Sequence, residues 1–281
     1  MSQSRPPASQ IRAVLVHVQT DEPGQRRLAA AAALARRLDA ALIGLGAQAI
    51  PPIAPDPYGM AEASYTLAMD EILAKEFQNA REAFTQATQG LVTDWLQAEL
   101  PPVEAAAQAA FGADLIMAGG GAPAIGDRYR WCDAGELVLT AGRPVLIAPA
   151  REAELAARAV VVAWKDTRES RRAVADALPL LQLAERVRLV EVCNEGETPE
   201  VRARLEAVAA WLGRHGVTAE TQPLPGRRAH VAEKIDAEAG ETGADLIVIG
   251  GYGHTRLGEW VFGGVTRDLL HGSHRFVMMS H

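Results

Sequence analysis

The sequence predicts an α/β protein made of two tandem copies of one domain, each a doubly wound parallel sheet of about five strands. Three observations carry that prediction. Short continuous apolar runs, such as AVVVA from Ala159 and LIVI from Leu246, have the pattern of strands buried on both faces, and they alternate with helix-length segments. The order of strands and helices in the first half recurs in the second. Residues recur with the order: AVLV at Ala13 matches AVVV at Ala159, ADLI at Ala113 matches ADLI at Ala244, and RPVL at Arg143 matches RFVM at Arg275. So long a period indicates two copies of a domain, not a solenoid. The boundary falls in the charged, alanine-rich stretch from Ala150 to Ala157, which divides the chain into residues 1–150 and 151–281.

In the first copy, strands are expected over Ala13 to Val18 and Ala41 to Leu45, with an alanine-rich helix from Gln25 to Leu38 between them. Four prolines from Pro51 to Pro57 mark a loop. A long segment free of Pro and Gly, Ala61 to Thr88, reads as a helix with Leu67, Ile72, Leu73, Phe77 and Phe84 inward. A weak strand, Val92 to Ala98, precedes Pro101-Pro102, which opens the helix Val103 to Phe111. The strand in ADLIMAGGG, the helix Gly135 to Thr140 and the strand Pro144 to Ala148 complete the copy. In the second copy, strands are expected at Ala159 to Ala163, Arg186 to Val192, Val217 to Gln222, Leu246 to Ile249 and Phe276 to Met279. Helices are expected over Arg168 to Leu178, with Pro179 ending or kinking the first, and over Glu200 to Arg214, His230 to Glu241 and Val265 to His271.

Bulk properties exclude several function classes. A chain of 281 residues, 48% hydrophobic and 22% charged, buries a real core. A formal charge of −7 argues against a surface built for nucleic acid or anionic membrane. The basic pairs Arg26-Arg27, Arg171-Arg172 and Arg227-Arg228 read as solvated faces. Two cysteines in dissimilar contexts, Cys132 and Cys193, make no disulfide framework and suit a reducing compartment. The N-terminus lacks the apolar core of a signal peptide and no apolar run is long enough for a bilayer, so a cytoplasmic location is expected.

One stretch carries chemistry: ADLIVIGGYGHTRLGEWVFGGV, from Ala244 to Val265. Gly250 and Gly251 end the apolar run, Gly253 follows, and after nine residues Gly263 and Gly264 precede a helical pattern. Glycines at a strand end and at a helix start let backbone N–H groups approach a ligand, and the helix N-terminus favours an anion such as phosphate. The other reading is a tight turn that holds nothing. No GxGxxG follows the first strand of either copy, which disfavours a dinucleotide site.

The spacing Gly250-x-x-Gly253-x9-Gly263-Gly264-Val265-Thr266, its place after the fourth strand, and the tandem repeat together resemble the universal stress protein (UspA-like) family across nearly the whole chain. The resemblance implies an adenine nucleotide alpha hydrolase-like, Rossmann-like fold. It implies that the two copies pair through their last strands as an internal pseudo-dimer, and it leaves open a homo-dimer of whole chains. Some members bind ATP at the carboxyl ends of the strands, so ATP, with magnesium alongside it, is the implied cofactor. The resemblance places Gly250, Gly253, Gly263 and Gly264 at the phosphates with the hydroxyl of Thr266, and Ile249 and Val265 within the same motif. It places Trp164 and Lys165 by adenine and ribose, and Val192 at the end of the second strand.

Two departures weaken that site. ATP-binding members carry Asp where this chain has Lys165, with Asp166 one place later, and Ser or Thr where it has Gly264. Each lost hydrogen bond to a charged group costs about 1.5–3 kcal/mol. Lys165 could instead reach a phosphate or another anion. The first copy has drifted further. Gly119, Gly120 and Gly121 remain, but Ala122 stands for Gly253, and Trp131 and Cys132 stand for Gly263 and Gly264. The first copy is therefore expected to be structural.

His254, His271, His274 and His281 fit no zinc spacing, so no metal site is expected. His254 lies within the glycine motif and could contact an anion, and Thr255 and Thr266 are candidate phosphorylation positions there. Trp164 could stack on a base or plug an empty site. No nucleophile elbow, Walker lysine or carboxylate pair appears, so no catalytic residue is assigned. The expected function is a non-catalytic stress-response protein with adenine nucleotide binding in its C-terminal domain. The alternatives are a ligand-independent interaction scaffold of the same fold and, less favoured, a slow nucleotide hydrolase.

Overall fold

The computed structural model describes residues 11–52, 60–121, 127–149, 155–226, 230–251 and 264–281. The N-terminal half contains β1 (Ala13–His17), α1 (Glu22–Leu38), β2 (Ala41–Ala47), α2 (Met60–Ala87), β3 (Thr93–Ala98), α3 (Pro102–Ala109), β4 (Leu115–Gly119), α4 (Ala134–Thr140) and β5 (Val145–Ala148). The C-terminal half contains β6 (Ala159–Ala163), α5 (Arg168–Leu181), β7 (Arg186–Cys193), α6 (Thr198–Arg214), β8 (Ala219–Pro225), α7 (Val231–Thr242), β9 (Leu246–Gly250), α8 (Gly264–Gly272) and β10 (Phe276–Ser280).

The strands form one sheet in the order β3-β2-β1-β4-β5-β10-β9-β6-β7-β8, so each half has the same internal order and the two meet at their last strands. Every pairing is parallel except that of β5 with β10, where Val145, Leu146 and Ile147 face Met279, Met278 and Val277. This is the internal pseudo-dimer that the family resemblance implies. All five residues of β10 and all four of β5 are buried, so pairing removes two apolar edges that would otherwise invite association.

The central strands are apolar throughout because helices cover both faces, and Val14, Leu15 and Val16 of β1 are fully buried. The outer strands differ. β3 is largely exposed, and β8 accommodates Pro223 and Pro225 because an edge strand has one row of backbone groups without a partner. The repeated Asp of ADLI has one structural role in both halves. Asp114 accepts the backbone N–H groups of Arg12 and Ala13 at 2.8 and 3.1 Å, and Asp245 those of Ala156 and Ala157 at 2.7 and 2.8 Å. Each carboxylate thus fixes the chain where it enters the first strand of its half.

Several expectations need correction. In α2 the buried stripe is Leu73, Phe77, Ala80 and Phe84, whose spacing of three and four keeps it on one face; Ile72 and Leu67 fall off that face and are exposed. Helix α5 runs through Pro179 to Leu181, because the ring is buried and the Gln182 N–H closes the last turn on the Leu178 carbonyl at 2.9 Å. The third strand of the second half lies at Ala219–Pro225, a little later than expected. The segment between the halves is no loose linker at its end: Leu155 and Ala157 are buried, and Arg37 of α1 donates to the Leu155 and Ala156 carbonyls.

Candidate functional site

In the C-terminal half, β7, β6 and β9 are parallel neighbours, so their carboxyl ends open on one crevice side of the sheet. Trp164 extends β6 by one bond, its N–H donating to the Val190 carbonyl at 2.7 Å. Ile249 pairs with Ala163, Gly250 pairs with Ser280, and Val192 follows on β7 opposite Leu224. Trp164, Lys165, Val192, Ile249 and Gly250 are therefore gathered at adjacent strand ends.

The turn from β6 into α5 explains why a glycine ends β9. Thr167 caps α5 by accepting the Ser170 N–H at 3.3 Å, and the Lys165 N–H donates to the Ser170 hydroxyl at 3.3 Å. This brings the first turn of α5 onto β9. A Cβ on Gly250 would lie 2.5 Å from the Ser170 backbone nitrogen and 2.6 Å from the Glu169 carbonyl carbon, which no side chain tolerates.

Helix α8 begins at Gly264, which is exposed and has nothing among the described residues within 4 Å of where a Cβ would stand. Its first turn carries no acidic residue. Val265 is in that turn, and Thr266 is buried. Gly253, Gly263, His254 and Thr255 lie outside the described residues. His281 makes a 3.2 Å hydrogen bond between its Nδ1 and the Gly251 carbonyl.

Two sequence-level readings are refined. Trp164 is buried in the apolar cluster that includes Val162, Leu189 and Leu205, and its indole Nε1–H has no partner among the described residues. Asp166, adjacent to the place where ATP-binding members carry Asp, is engaged by the Arg171 guanidinium.

The equivalent crevice of the N-terminal half holds residues that sequence reasoning missed. His17 stands at the end of β1 where Ala163 ends β6, and Arg27 stands in α1 where Ala173 stands in α5. Both are buried, which corrects the reading of Arg27 as part of a solvated basic pair. Arg27 donates to the His17 carbonyl from Nε and Nη2 at 3.2 and 3.1 Å, and to the Gln19 side-chain oxygen at 2.9 Å. Burial, then the Arg27 charge, pull the His17 imidazole down from 6.5 to about 3. Burial pushes the Cys132 thiol up to about 12, so it is an inert apolar residue and no redox centre. The signal for His17 is one polar residue inside an apolar strand run; Arg27 leaves none.

The two halves also differ where the last helix begins. In α4, Asp133 accepts the Glu136 N–H at 2.8 Å, so carboxylates stand at the start of that helix, whereas the first turn of α8 has none. Among the described residues no group of His, Cys, Asp or Glu is placed to hold a metal, and no helix is long and apolar enough to cross a membrane.

The sequence model of the universal stress protein family matches residues 156–281. No curated protein matches the chain. Among solved structures, the fold is similar to a universal stress protein from Archaeoglobus fulgidus DSM 4304, with TM-score 0.69 and 16% identity over 95% of each chain. It is also similar to a functionally unknown protein from Pseudomonas aeruginosa PAO1, with TM-score 0.54 and 17% identity over 96% of this chain and 92% of that one. At those identities the likeness concerns the fold, and it spans both halves. Residues 156–281 are thus similar to the universal stress protein family, and the N-terminal half repeats the same strand order.

Proposed function

We propose that the C-terminal half binds an adenine nucleotide, with ATP as the ligand that the family resemblance implies, and that the protein acts through binding and not through catalysis. The observation that carries this reading is the contrast between the two final helices. Helix α8 starts on an exposed glycine with no acidic residue in its first turn, whereas Asp133 and Glu136 occupy that position in α4. A helix whose first turn carries no acidic residue attracts an anion at its N-terminus, while a carboxylate cap repels one. Gly250, Gly253, Gly263 and Gly264 would present backbone N–H groups to the phosphates, with Thr266 adding a hydroxyl. Trp164, Lys165, Val192 and Ile249 would line the adenine and ribose side, and magnesium would accompany the phosphates. Binding of this kind stabilises the conformation that holds the nucleotide and so alters partner choice.

Lys165→Asp combined with Gly264→Ser tests the reading. Restoring a carboxylate for ribose hydroxyls and a hydroxyl for phosphate should tighten ATP binding by about tenfold or more, the worth of one good hydrogen bond. An unchanged affinity would favour the scaffold reading, which the burial of Trp164 and the engagement of Asp166 by Arg171 support.

A further inference from the structure

We propose that the free edge of β3 is a dimerisation surface, on which β3 of a second copy of this chain pairs antiparallel about a two-fold axis. The ten-stranded sheet then continues into the second molecule.

The two outer strands, β3 and β8, can be compared residue by residue. Leu42, paired with Thr93, stands where Val187, paired with Ala219, stands in the other half. Gln97 and Glu99 therefore correspond to Pro223 and Pro225. Along a strand the backbone groups alternate, so every second residue of an outer strand turns its N–H and carbonyl to the free side. The Leu42 N–H donates to the Val92 carbonyl at 3.0 Å, which leaves Thr93, Trp95 and Gln97 facing outward in β3. The Gly226 N–H donates to the Cys193 carbonyl at 2.8 Å, which leaves Thr221, Pro223 and Pro225 facing outward in β8. Two of those three have no N–H, so the β8 edge resists a further strand. Every outward residue of β3 has one to give.

Side chains repeat the contrast. Val92 and Leu96 on this edge are 75% and 39% exposed, and Phe111 is 86% exposed. Phe111 lies at the same margin of the sheet, since a Cβ on its neighbour Gly112 would stand 3.8 Å from Cδ1 of Ile43 on β2. The corresponding residues of the other half are Thr218, Gln222 and Thr242. There Arg188, in the place of Ile43, spans the face and donates to Glu238 and Glu220 at 2.7 Å each. One copy closes its edge with polar side chains and prolines, so the fold itself does not require the apolar side chains and free donors of the other.

The occupant is a second copy because β3 is complementary to itself. With the axis at Leu96, Trp95 exchanges both backbone hydrogen bonds with Gln97 of the partner subunit, and the two Leu96 side chains meet in a close pair without hydrogen bonds. Asp94 then faces Ala98 of the partner subunit. An axis at Asp94 would set two carboxylates opposite each other, and one at Trp95 would set Asp94 against a leucine. Because the β8 edge is blocked, pairing stops at two chains and gives a closed dimer, not a filament.

The test is light scattering on the full chain over a concentration series. The expected result is a mass of two chains, with a dissociation constant below about 100 μM. Gln97→Pro, which copies Pro223, should weaken dimerisation at least about tenfold while the protein keeps its circular dichroism spectrum. Leu96→Lys, at an exposed position, should do the same by setting two ammonium groups opposite each other. With oxygen and copper phenanthroline as the oxidant, Leu96→Cys should form an interchain disulfide, whereas Asp94→Cys should not. The native Cys132 and Cys193 are buried and leave that background silent. A monomer at every concentration overturns the proposal, whether residues 1–10 or a different protein covers the edge. So does a dimer that withstands both Gln97→Pro and Leu96→Lys, or one that Asp94→Cys cross-links and Leu96→Cys does not.

Discussion

The Gly121 N–H donates a 3.1 Å hydrogen bond to the carbonyl of Leu270, so the glycine turn after β4 is tied to helix α8 of the other half. The reciprocal turn makes the matching contact. A Cβ on Gly251, after β9, would stand 2.8 Å from Cγ1 of Val138 in α4. The glycine stretches of both copies thus seat the final helix of the opposite copy, as well as ending their own strands.

Gly251→Ala should destabilise the chain by about 1–3 kcal/mol through overpacking against Val138. Because the obstructing atom is a side-chain methyl, Gly251→Ala in a Val138→Ala background should cost less than the sum of the two single changes. Urea midpoints of the four proteins in the cycle check this, and strict additivity would mean that the turn does not press on α4.

The two glycines at either end of the motif should respond in opposite ways. Gly250→Ala drives a Cβ into the backbone of Ser170 and Glu169, which cannot move without uncapping α5, and should cost at least about 1–3 kcal/mol. Gly264→Ala meets nothing among the described residues and exchanges a weak helix former for a strong one, so stability should rise by up to about 1 kcal/mol. Thermal melts of both variants, with circular dichroism as the readout, distinguish a glycine required for packing from one kept for access.

Much of the fold is legible in the residues themselves. AVLV, AVVV, ADLI and LIVI are strands buried on both faces, and a continuous apolar run leaves little alternative. The repeat then yields two copies of one parallel-sheet domain, and the β5–β10 junction is what the family resemblance implies. Periodicity fails where neighbours compete for one face, as at Ile72 beside Leu73, and at the edge strand β8, whose prolines imitate a loop. The site is harder to read. The motif contains Gly250 and Gly264 alike, yet one is packed against α5 and the other meets no described residue, a difference that tertiary contact alone creates. Arg27 looks in sequence like the exposed Arg171 and Arg172, because only the position of α1 over β1 and β4 determines that its guanidinium turns inward.

Acid should weaken the fold through His17. Its folded value is about 3, against 6.5 when free. Above pH 6.5 both states are neutral there and the group contributes nothing. Between pH 6.5 and about 3 the unfolded chain takes up a proton that the folded chain refuses, so stability falls as pH falls. The slope from this group is at most about 1.4 kcal/mol per pH unit. His17→Ala, which copies Ala163 of the other half, should flatten the acid limb of a plot of urea midpoint against pH. An acid limb unchanged in the variant would show that carboxylates alone set it.

Asp114→Ala and Asp245→Ala should each cost about 2–4 kcal/mol, since either change leaves two backbone N–H groups at a strand start without their charged acceptor. The two losses should add, because the carboxylates serve different halves. Denaturant titration of the single and double variants measures both points.

The most direct test of nucleotide binding by the C-terminal half is isothermal titration of ATP with magnesium into protein stripped of nucleotide. The expected result is one site per chain with a dissociation constant on the order of 1 μM, about −8 kcal/mol, and loss of the signal in Gly253→Val. Absence of heat in the stripped wild-type protein, or binding that persists undiminished in Gly253→Val, would contradict it.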